Sequence, residues 1–189
     1  MKIATWNVNS LKVRLPQVLQ WLADNPVDVL CLQETKTVDE KFPFAEIEAA
    51  GYQVAFTGQK TYNGVAILSR HPINDVVKNN PLFDDEHQRI IIGTIQGVRI
   101  ICAYIPNGQS LESDKYQYKL RWLAGLHELL AHEMKQHENV ALLGDYNIAP
   151  EDRDVHDPAA WAGQVLVSEP ERAAFVRLQE MGFTDAFRM

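Results

Sequence analysis

A short apolar run followed by polar side chains, within residues 139–150, offers the first candidate chemistry in this sequence. Residues 140–143 are typical of a buried central strand, and Gly144 allows a close turn of the backbone at its end. Beyond it Asp145 and Asn147 alternate with Tyr146, so in extended geometry the carboxylate and the amide point to the same side. Two oxygen ligands of this kind suit a hard divalent cation. The alternative is an Asp/Asn turn that only caps the strand.

A second carboxylate follows another apolar run. Residues 27–32 are almost continuously apolar, as in a strand buried on both faces, and Glu34 comes two residues later. An acidic side chain at the end of a buried strand must be paired, hydrogen-bonded or bound to a metal. A salt bridge with Lys36 is the alternative to a metal site.

Two further polar side chains come at the ends of predicted strands. Asn7 begins the polar loop that follows a strand predicted at 2–6, a position where ligands commonly collect. Tyr104 lies near the end of a strand predicted at 98–105 and is followed by Pro-Asn-Gly. Local packing of its ring, with the hydroxyl bonded nearby, is the alternative to a functional role.

Length and charge limit the classes of protein to consider. With 189 residues, 46% of them hydrophobic, the chain should form one globular domain over residues 1–189. A net charge of -7 argues against a broad basic surface for nucleic acid, although not against a nuclease whose carboxylates bind cations. No apolar run could span a bilayer and the N-terminus carries no signal-peptide pattern, so we expect a cytoplasmic protein without a membrane partner. Cys31 and Cys102 lie in apolar runs and should be buried, reduced thiols.

Helices and strands must position these side chains. The periodicity predicts helices at 11–24, 42–51 and 114–136, and the capping box of Ser168 and Glu171 predicts a last helix that ends at Met181. Strands are predicted at 2–6, 27–32, 52–57, 65–69, 90–95, 98–105 and 140–143. The strands at 52–57, 65–69 and 90–95 should form an antiparallel meander. A hairpin turn is predicted at Gln96-Gly97.

The longest predicted helix carries two kinds of residue. Those expected to face the core are Tyr116, Leu120, Leu123, Leu130 and Met134. His127 lies on the same stripe and is interpreted as a boundary or core residue rather than a ligand. The basic residues Lys115, Lys119 and Arg121 could contact phosphates near the helix start, or could form a solvated face.

Four motifs together resemble one known family, exonuclease III and its relatives, the bacterial apurinic/apyrimidinic endonucleases. These are residues 5–10 (TWNVNS), 28–36 (DVLCLQETK), 104–108 (YIPNG) and 144–147 (GDYN), in the order of the family. Weaker matches at 63–66 (NGVA) and 154–158 (DVHDP) extend the resemblance over essentially the whole chain. It implies an α/β fold, the four-layered α/β sandwich of the endonuclease/exonuclease/phosphatase superfamily, with two packed mixed sheets flanked by helices.

The resemblance also implies roles for individual residues. The metal, Mg2+ or Mn2+, would be held by Glu34 as principal ligand, together with Asn7, Asp145 and Asn147. Asp145 would orient and deprotonate the attacking water, Asn147 would hold Asp145 or the phosphate oxygens, and Tyr104 would direct its hydroxyl at the phosphate or the leaving group. The candidate contacts to the DNA backbone are Arg89, Asn107, Gln109, Lys115 and Lys119. The implied partner is double-stranded DNA with abasic sites or 3′ ends, and the full-length form should be a monomer.

The sequence departs from the family pattern after residue 188. Members continue through a Trp-rich stretch to a Ser-Asp-His motif, and none of the six histidines here lies in that context. We therefore expect a chain truncated at its C-terminus, lacking the last strands of the second sheet and leaving an unpaired edge.

Two functions follow. The first is a metal-dependent DNA-repair phosphodiesterase of the exodeoxyribonuclease III type, both a 3′ to 5′ exonuclease and an abasic-site endonuclease. The second is a catalytically inert fragment that binds metal, DNA or a partner chain without turnover. A phosphatase acting on lipids or inositol phosphates is disfavoured, because residues 33–36 and 106–108 resemble the DNA-repair branch.

Overall fold

A computed structural model describes residues 1–189, and the chain divides into two compact units. The first contains Met1–Tyr104 and Glu133–Asp145, and the second contains Ile105–His132 and Tyr146–Met189. All eight strands lie in the first unit.

The first sheet has the strand order β1-β2-β4-β3. Its strands are β1 (Ile3–Asn7), β2 (Val29–Gln33), β3 (Gln53–Thr57) and β4 (Val65–Ser69). β1 and β2 are parallel because helix α1 (Leu11–Asp24) supplies the crossover that a parallel pair needs. β4 is antiparallel to both β2 and β3, and the short helix α2 (Phe44–Ala49) precedes β3.

The second sheet keeps its strands in chain order. These are β5 (Asn74–Lys78), β6 (Ile90–Ile95), β7 (Val98–Tyr104) and β8 (Val140–Asp145), with β7 and β8 parallel and the other pairs antiparallel. The β6–β7 hairpin turns at Gln96 and Gly97, whose φ angles are 49° and 79°. Positive φ at both central residues matches the right-handed twist of the flanking strands, so the hairpin prediction is confirmed.

The two sheets pack face to face through a cluster that includes Cys31 and Ile67 from one sheet and Ile91, Ile100 and Cys102 from the other. The opposite face of the first sheet is covered by apolar side chains of α1 and α2, among them Leu11, Val18, Leu22 and Ile47. Both cysteines are buried and free, as predicted. The first unit is therefore a helix layer on two stacked sheets.

The second unit is largely helical. Its elements are α3 (Asp114–Gln136, of which residues 133–136 are counted with the first unit), α4 (Pro158–Trp161) and α5 (Glu169–Glu180). The predicted capping box of Ser168 and Glu171 begins α5. The rings of Tyr146 and Phe175 meet edge to face at 5.7 Å. His127 Nε2 lies 2.9 Å from the carbonyl oxygen of Ala174, in the boundary position that was predicted. No helix is both long enough and apolar enough to cross a membrane.

Three details of the strand prediction were wrong. The strands at 53–57, 65–69 and 90–95 do not form one meander, since β3 and β4 belong to the first sheet and β6 to the second. β5 was missed because it is a short polar edge strand, exposed along most of its length. β8 was expected to be central, but it is an edge strand and its residues are only half-buried.

The core face of α3 also differs from the prediction. Tyr116, Leu123 and Leu130 are buried as expected, but Met134 is 36% exposed. Lys119 and Glu133 are buried instead. Each is neutralised by an ion pair inside its own unit, and apolar periodicity cannot report such pairing.

Candidate active site

The carboxyl ends of the two parallel strand pairs carry the predicted functional side chains of the first unit. Asn7 ends β1 opposite Gln33, and Glu34 follows Gln33 directly. Tyr104 ends β7 opposite Asp145, the last residue of β8. Parallel pairing puts both members of each pair at the same sheet edge, which is where open α/β sheets commonly place ligands.

The side-chain amide of Asn7 joins the two carboxylates. Its Nδ2 donates to Oε1 of Glu34 and to Oδ2 of Asp145, and both distances are 2.8 Å. Its Oδ1 accepts the backbone N–H of Asn9 at 3.0 Å, which defines which end of the amide faces the acids. Two acidic oxygens on one nitrogen make a compact anionic site.

Glu34 is held as an anion. Burial alone would raise its pKa, but hydrogen bonds from Asn7, Lys36 and Tyr104 lower the pKa below the ordinary glutamate value. The Lys36 ammonium lies 2.8 Å from Oε2, so the salt bridge that was named as the alternative to a metal site is present. Glu34 itself has φ 55°, an uncommon conformation for a side chain larger than Asn or Asp. The turn must therefore be held by its surroundings.

Contacts from neighbouring loops hold that turn. The backbone N–H of Thr35 donates to Gly64 O at 3.1 Å, and that of Lys36 donates to Asn63 O at 2.9 Å. A Cβ on Gly64 would lie 2.1 Å from Thr35 Oγ1, so only glycine fits there. Gly64 was noted from the sequence only as part of the NGVA match, and this contact was not predicted.

The hydroxyl of Tyr104 stays protonated at neutral pH and can donate a hydrogen bond. Burial, followed by the charge of Glu34 and a hydrogen bond to it, raises the pKa of Tyr104 above the ordinary tyrosine value. The guanidinium of Arg89 lies 4.9 Å from the centre of its ring, and Arg89 Nη1 donates to the Tyr104 carbonyl at 3.2 Å. Arg89, predicted as a DNA contact, is thus half-buried and fixed against the tyrosine.

The remaining residues that were predicted for the site lie in the second unit. Asn107 Nδ2 donates to Asn147 Oδ1 at 3.2 Å, and Asn147 Nδ2 donates to Ile105 O at 2.9 Å. Asn147 has φ 48°, so the extended alternation assumed from the sequence does not continue through it. Gln109 and Lys115 are exposed, as a contact to DNA requires.

The structure contradicts the predicted role of Lys119 as a DNA contact. It was expected to contact a phosphate or to lie on a solvated face, but its side chain is 0% exposed and its Nζ lies 2.5 Å from Glu171 Oε1. An ammonium buried against a carboxylate cannot reach DNA. Its exposed neighbour Lys115 keeps that role as a prediction.

The donor chemistry of the first unit fits a hard cation. The charged groups are oxygen donors, which Mg2+ and Mn2+ prefer over sulfur or imidazole. Nowhere does the chain assemble three or more His, Cys, Asp or Glu side chains that could hold a metal ion. A cation at Glu34 and Asp145 would therefore keep several waters, as Mg2+ does in sites that also bind phosphate.

The arrangement of two packed mixed sheets with acids at their strand ends is that of a known family. The chain matches the Endonuclease/Exonuclease/phosphatase family over residues 4–184 and belongs to that family. Its resemblance to exonuclease III and the expected α/β sandwich are both confirmed.

Three similar proteins show which kinds of enzyme within the family resemble this chain. The chain is 31% identical over 200 residues to exodeoxyribonuclease III of Haemophilus influenzae, an alignment that covers 100% of this chain and 75% of that protein. The Neisseria 3′ phosphatase NExo, bound to a product DNA hairpin, has 49% identity and a TM-score of 0.97 over 100% of this chain and 74% of its own. An AP endonuclease from Archaeoglobus fulgidus has 41% identity and a TM-score of 0.94, covering 100% and 73%. The chain thus spans about three quarters of the length of these relatives.

Proposed function

We propose that this protein is a metal-dependent DNA-repair phosphodiesterase of the exodeoxyribonuclease III type. It cleaves duplex DNA on the 5′ side of abasic sites and removes nucleotides from 3′ ends. The observation that carries the proposal is the single amide of Asn7 between Glu34 and Asp145. The similarity to exodeoxyribonuclease III and AP endonucleases supports the choice of DNA as substrate.

Asp145 is the general base. Its carboxylate takes a proton from the attacking water while the water oxygen forms a bond to phosphorus and the bond from phosphorus to the 3′ oxygen breaks. Asn7 Nδ2 donates to Oδ2 of this carboxylate and so fixes its orientation toward the water. Placing a base within hydrogen-bonding distance of its water contributes about 10²–10⁴-fold to the rate.

When DNA binds, the Tyr104 hydroxyl gives up its hydrogen bond with Glu34 and donates to the phosphate instead. Its raised pKa keeps the hydroxyl protonated, so the group can stabilise negative charge as it develops on a phosphoryl oxygen. Glu34 and Asp145 hold the divalent cation, with Asn7 orienting both. When bound, Mg2+ or Mn2+ supplies positive charge against the phosphate oxygens and the departing 3′ oxygen.

The Asn107–Asn147 pair contacts the phosphate backbone of the DNA. Chain connectivity supports this role, since Asn147 follows Asp145 by two residues and Asn107 follows Tyr104 by three. The exposed side chains of Gln109 and Lys115 also contact the DNA backbone, and Lys115 contributes a positive charge to this contact. The full-length form acts as a monomer in the cytoplasm, where the free thiols Cys31 and Cys102 stay reduced.

A second activity of the same site is removal of a 3′-terminal phosphate. The structural match to the Neisseria 3′ phosphatase favours it. The chemistry is closely related, because water again attacks phosphorus and the bond to the 3′ oxygen again breaks. The two substrates differ only in the phosphate, which is a diester within the DNA backbone and a monoester at the 3′ end.

The test uses three labelled duplexes: one with an internal abasic analogue, one with a 3′-hydroxyl end and one with a 3′-phosphate end. The chain is assayed with Mg2+, with Mn2+ and with chelator, beside an Asp145→Asn variant. Metal-dependent cleavage that disappears in Asp145→Asn establishes the proposal. Binding of the duplexes without cleavage would instead establish the inert-fragment hypothesis, and the relative rates on the three ends rank the activities.

A further inference from the structure

The second unit contains a fully buried ion pair between α3 and α5. Lys119 Nζ lies 2.5 Å from Glu171 Oε1, and both side chains are 0% exposed. Burying two charges is costly unless their remaining hydrogen-bonding capacity is also used. The partners of each charge therefore show what the pair holds in place.

Lys119 uses its other protons on two loop carbonyls. Its Nζ donates to Asn147 O at 2.5 Å and to Asn107 O at 3.1 Å, so each of its three protons has an acceptor. Between those loops the side chains of the same two asparagines share a hydrogen bond of 3.2 Å. The loop after β7 also packs on the lysine stem, since a Cβ on Gly108 would lie 3.3 Å from Lys119 Cδ.

Glu171 extends the network to a third loop. Its carboxylate accepts the backbone N–H of Leu166 at 3.0 Å, the backbone N–H of Ser168 at 3.2 Å and the Ser168 hydroxyl at 2.5 Å. The carbonyl of Leu166 in turn accepts the backbone N–H of Ala149 at 2.8 Å. The segment around Asn147 is therefore tied to Lys119 directly and to Glu171 through Leu166.

Stability alone does not account for this arrangement. A buried ion pair is often no more stabilising than two apolar side chains of similar volume, so a pair of leucines or methionines could fill the same space. Apolar residues could not donate to two carbonyls. Asn147 has φ 48°, a left-handed conformation that asparagine adopts in turns, and its carbonyl is one of the two that Lys119 holds.

We infer that Lys119, with its charge held by Glu171, is a positioning residue that fixes the backbone of the Asn107 and Asn147 loops for catalysis. This inference rests on the proposed function, in which both asparagines contact the phosphate backbone. Lys119 touches neither substrate nor cation. It acts only through the two carbonyls that it holds.

The kinetic test compares Lys119→Met with Glu133→Gln on the abasic duplex. Glu133 is the matched control, because it forms the other buried ion pair, 2.6 Å from Arg99 and 7% exposed. We expect Lys119→Met to lower kcat about 100-fold with a much smaller change in KM, since small misplacements of reacting groups cost this much. Glu133→Gln should lose stability but keep kcat at a temperature where both variants are folded.

A structural readout separates this inference from the proposed function. Asparagine-selective 15N labelling resolves the side-chain amides of Asn107 and Asn147, whose hydrogen bonds depend on loop position. Lys119→Met should shift both signals, and Glu133→Gln should leave them in place. This measurement remains informative if the wild-type chain cuts none of the duplexes, an outcome that would overturn the proposed function alone.

A double variant keeps the test decisive if Lys119→Met does not fold. Lys119→Met with Glu171→Met removes both buried charges together, which costs less stability than leaving one unpaired. A folded double variant with low kcat and shifted amide signals supports positioning. Wild-type kcat in either folded variant, or unshifted amide signals, would overturn it.

Discussion

Asn7 Nδ2 lies 2.8 Å from Oδ2 of Asp145, although 138 residues separate the two in the sequence. The same nitrogen contacts Glu34, so one neutral side chain keeps two acids of different strands in a defined relation. Without this donor, the repulsion between the two carboxylates would no longer be offset by a shared hydrogen-bond partner.

Asn7→Ala should reduce activity mainly by loosening the metal site. Loss of a hydrogen-bond partner of metal-binding carboxylates typically costs about 10–100-fold in metal affinity or activity. Titration of activity against Mg2+ should therefore show a higher half-saturating concentration as well as a lower maximum. The control is Asn74→Ala, at an exposed position on β5. An unchanged Mg2+ titration for Asn7→Ala would contradict the bridging role.

Asp145→Asn and Glu34→Ala should each abolish metal-dependent cleavage. The first removes the base and the second the main cation ligand, and loss of a general base alone costs about 10²–10⁴-fold. Initial rates on the abasic duplex measure both, with the exposed Asp24→Asn as control. Near-normal turnover in either variant would refute the assignment of that residue.

Tyr104→Phe should separate catalysis from stability. It keeps the ring beneath Arg89 but removes the hydroxyl, and loss of one donor to a developing oxyanion costs about 10²–10³-fold in kcat. Tyr52→Phe is the control, because it should change stability and not activity. That buried hydroxyl donates to Val27 O at 2.9 Å, so its loss should cost about 1 kcal/mol of stability and no activity. Rates and urea denaturation of both variants check the contrast, and equal rates for Tyr104→Phe and wild type would disprove it.

Gly144→Ala should destabilise the second sheet. An added Cβ would lie 1.8 Å from Ala103 O, and this backbone atom cannot move without parting β7 from β8. We expect a loss of about 3 kcal/mol, at the upper end of overpacking costs. Gly51→Ala has a left-handed φ of 86° but no atom within 4 Å, so it controls for backbone strain without a clash. Equal unfolding free energies for the two variants would exclude the clash as the cause.

His127 should make stability pH-dependent. Burial lowers its pKa despite the hydrogen bond with Ala174 O, so the folded state binds a proton less readily than the unfolded chain. Stability contributed by neutral His127 is therefore full above the unfolded pKa of about 6.5 and is lost as pH falls below it. Urea denaturation at about pH 7.5 and about pH 5.5 brackets that value. His127→Gln should lose less stability over this interval than the wild type, and parallel losses would show that His127 does not contribute.

Helices and strands were predicted well because the apolar periodicity that marks each one lies within its own residues. The helices at 11–24 and 114–136 and the strands at 65–69 and 90–95 match the structure at both ends, since apolar periodicity reports directly on a repeating backbone. The exposed strand β5 carries no such pattern and was missed. The predicted meander of the strands at 52–57, 65–69 and 90–95 was also wrong, because β6 lies in the second sheet and pairing between strands leaves no mark on the spacing within each.

For the candidate site, too, some features could be predicted from the sequence and others could not. Residue types near the ends of the apolar runs made Asn7, Glu34, Tyr104 and Asp145 candidates, and the family resemblance assigned their roles, which remain predictions. Their convergence on one amide was decided by the tertiary structure, through the parallel register of β1 with β2 and of β7 with β8.

By itself the sequence determined the family, the elements and the chemical groups at the strand ends. Only the tertiary structure decided which charges face water. Lys115 and Lys119 lie one helical turn apart and read alike, yet the first is exposed and the second is buried against Glu171. The physical reason is that the cost of burying a charge depends on a partner 52 residues away, which no local pattern of α3 contains.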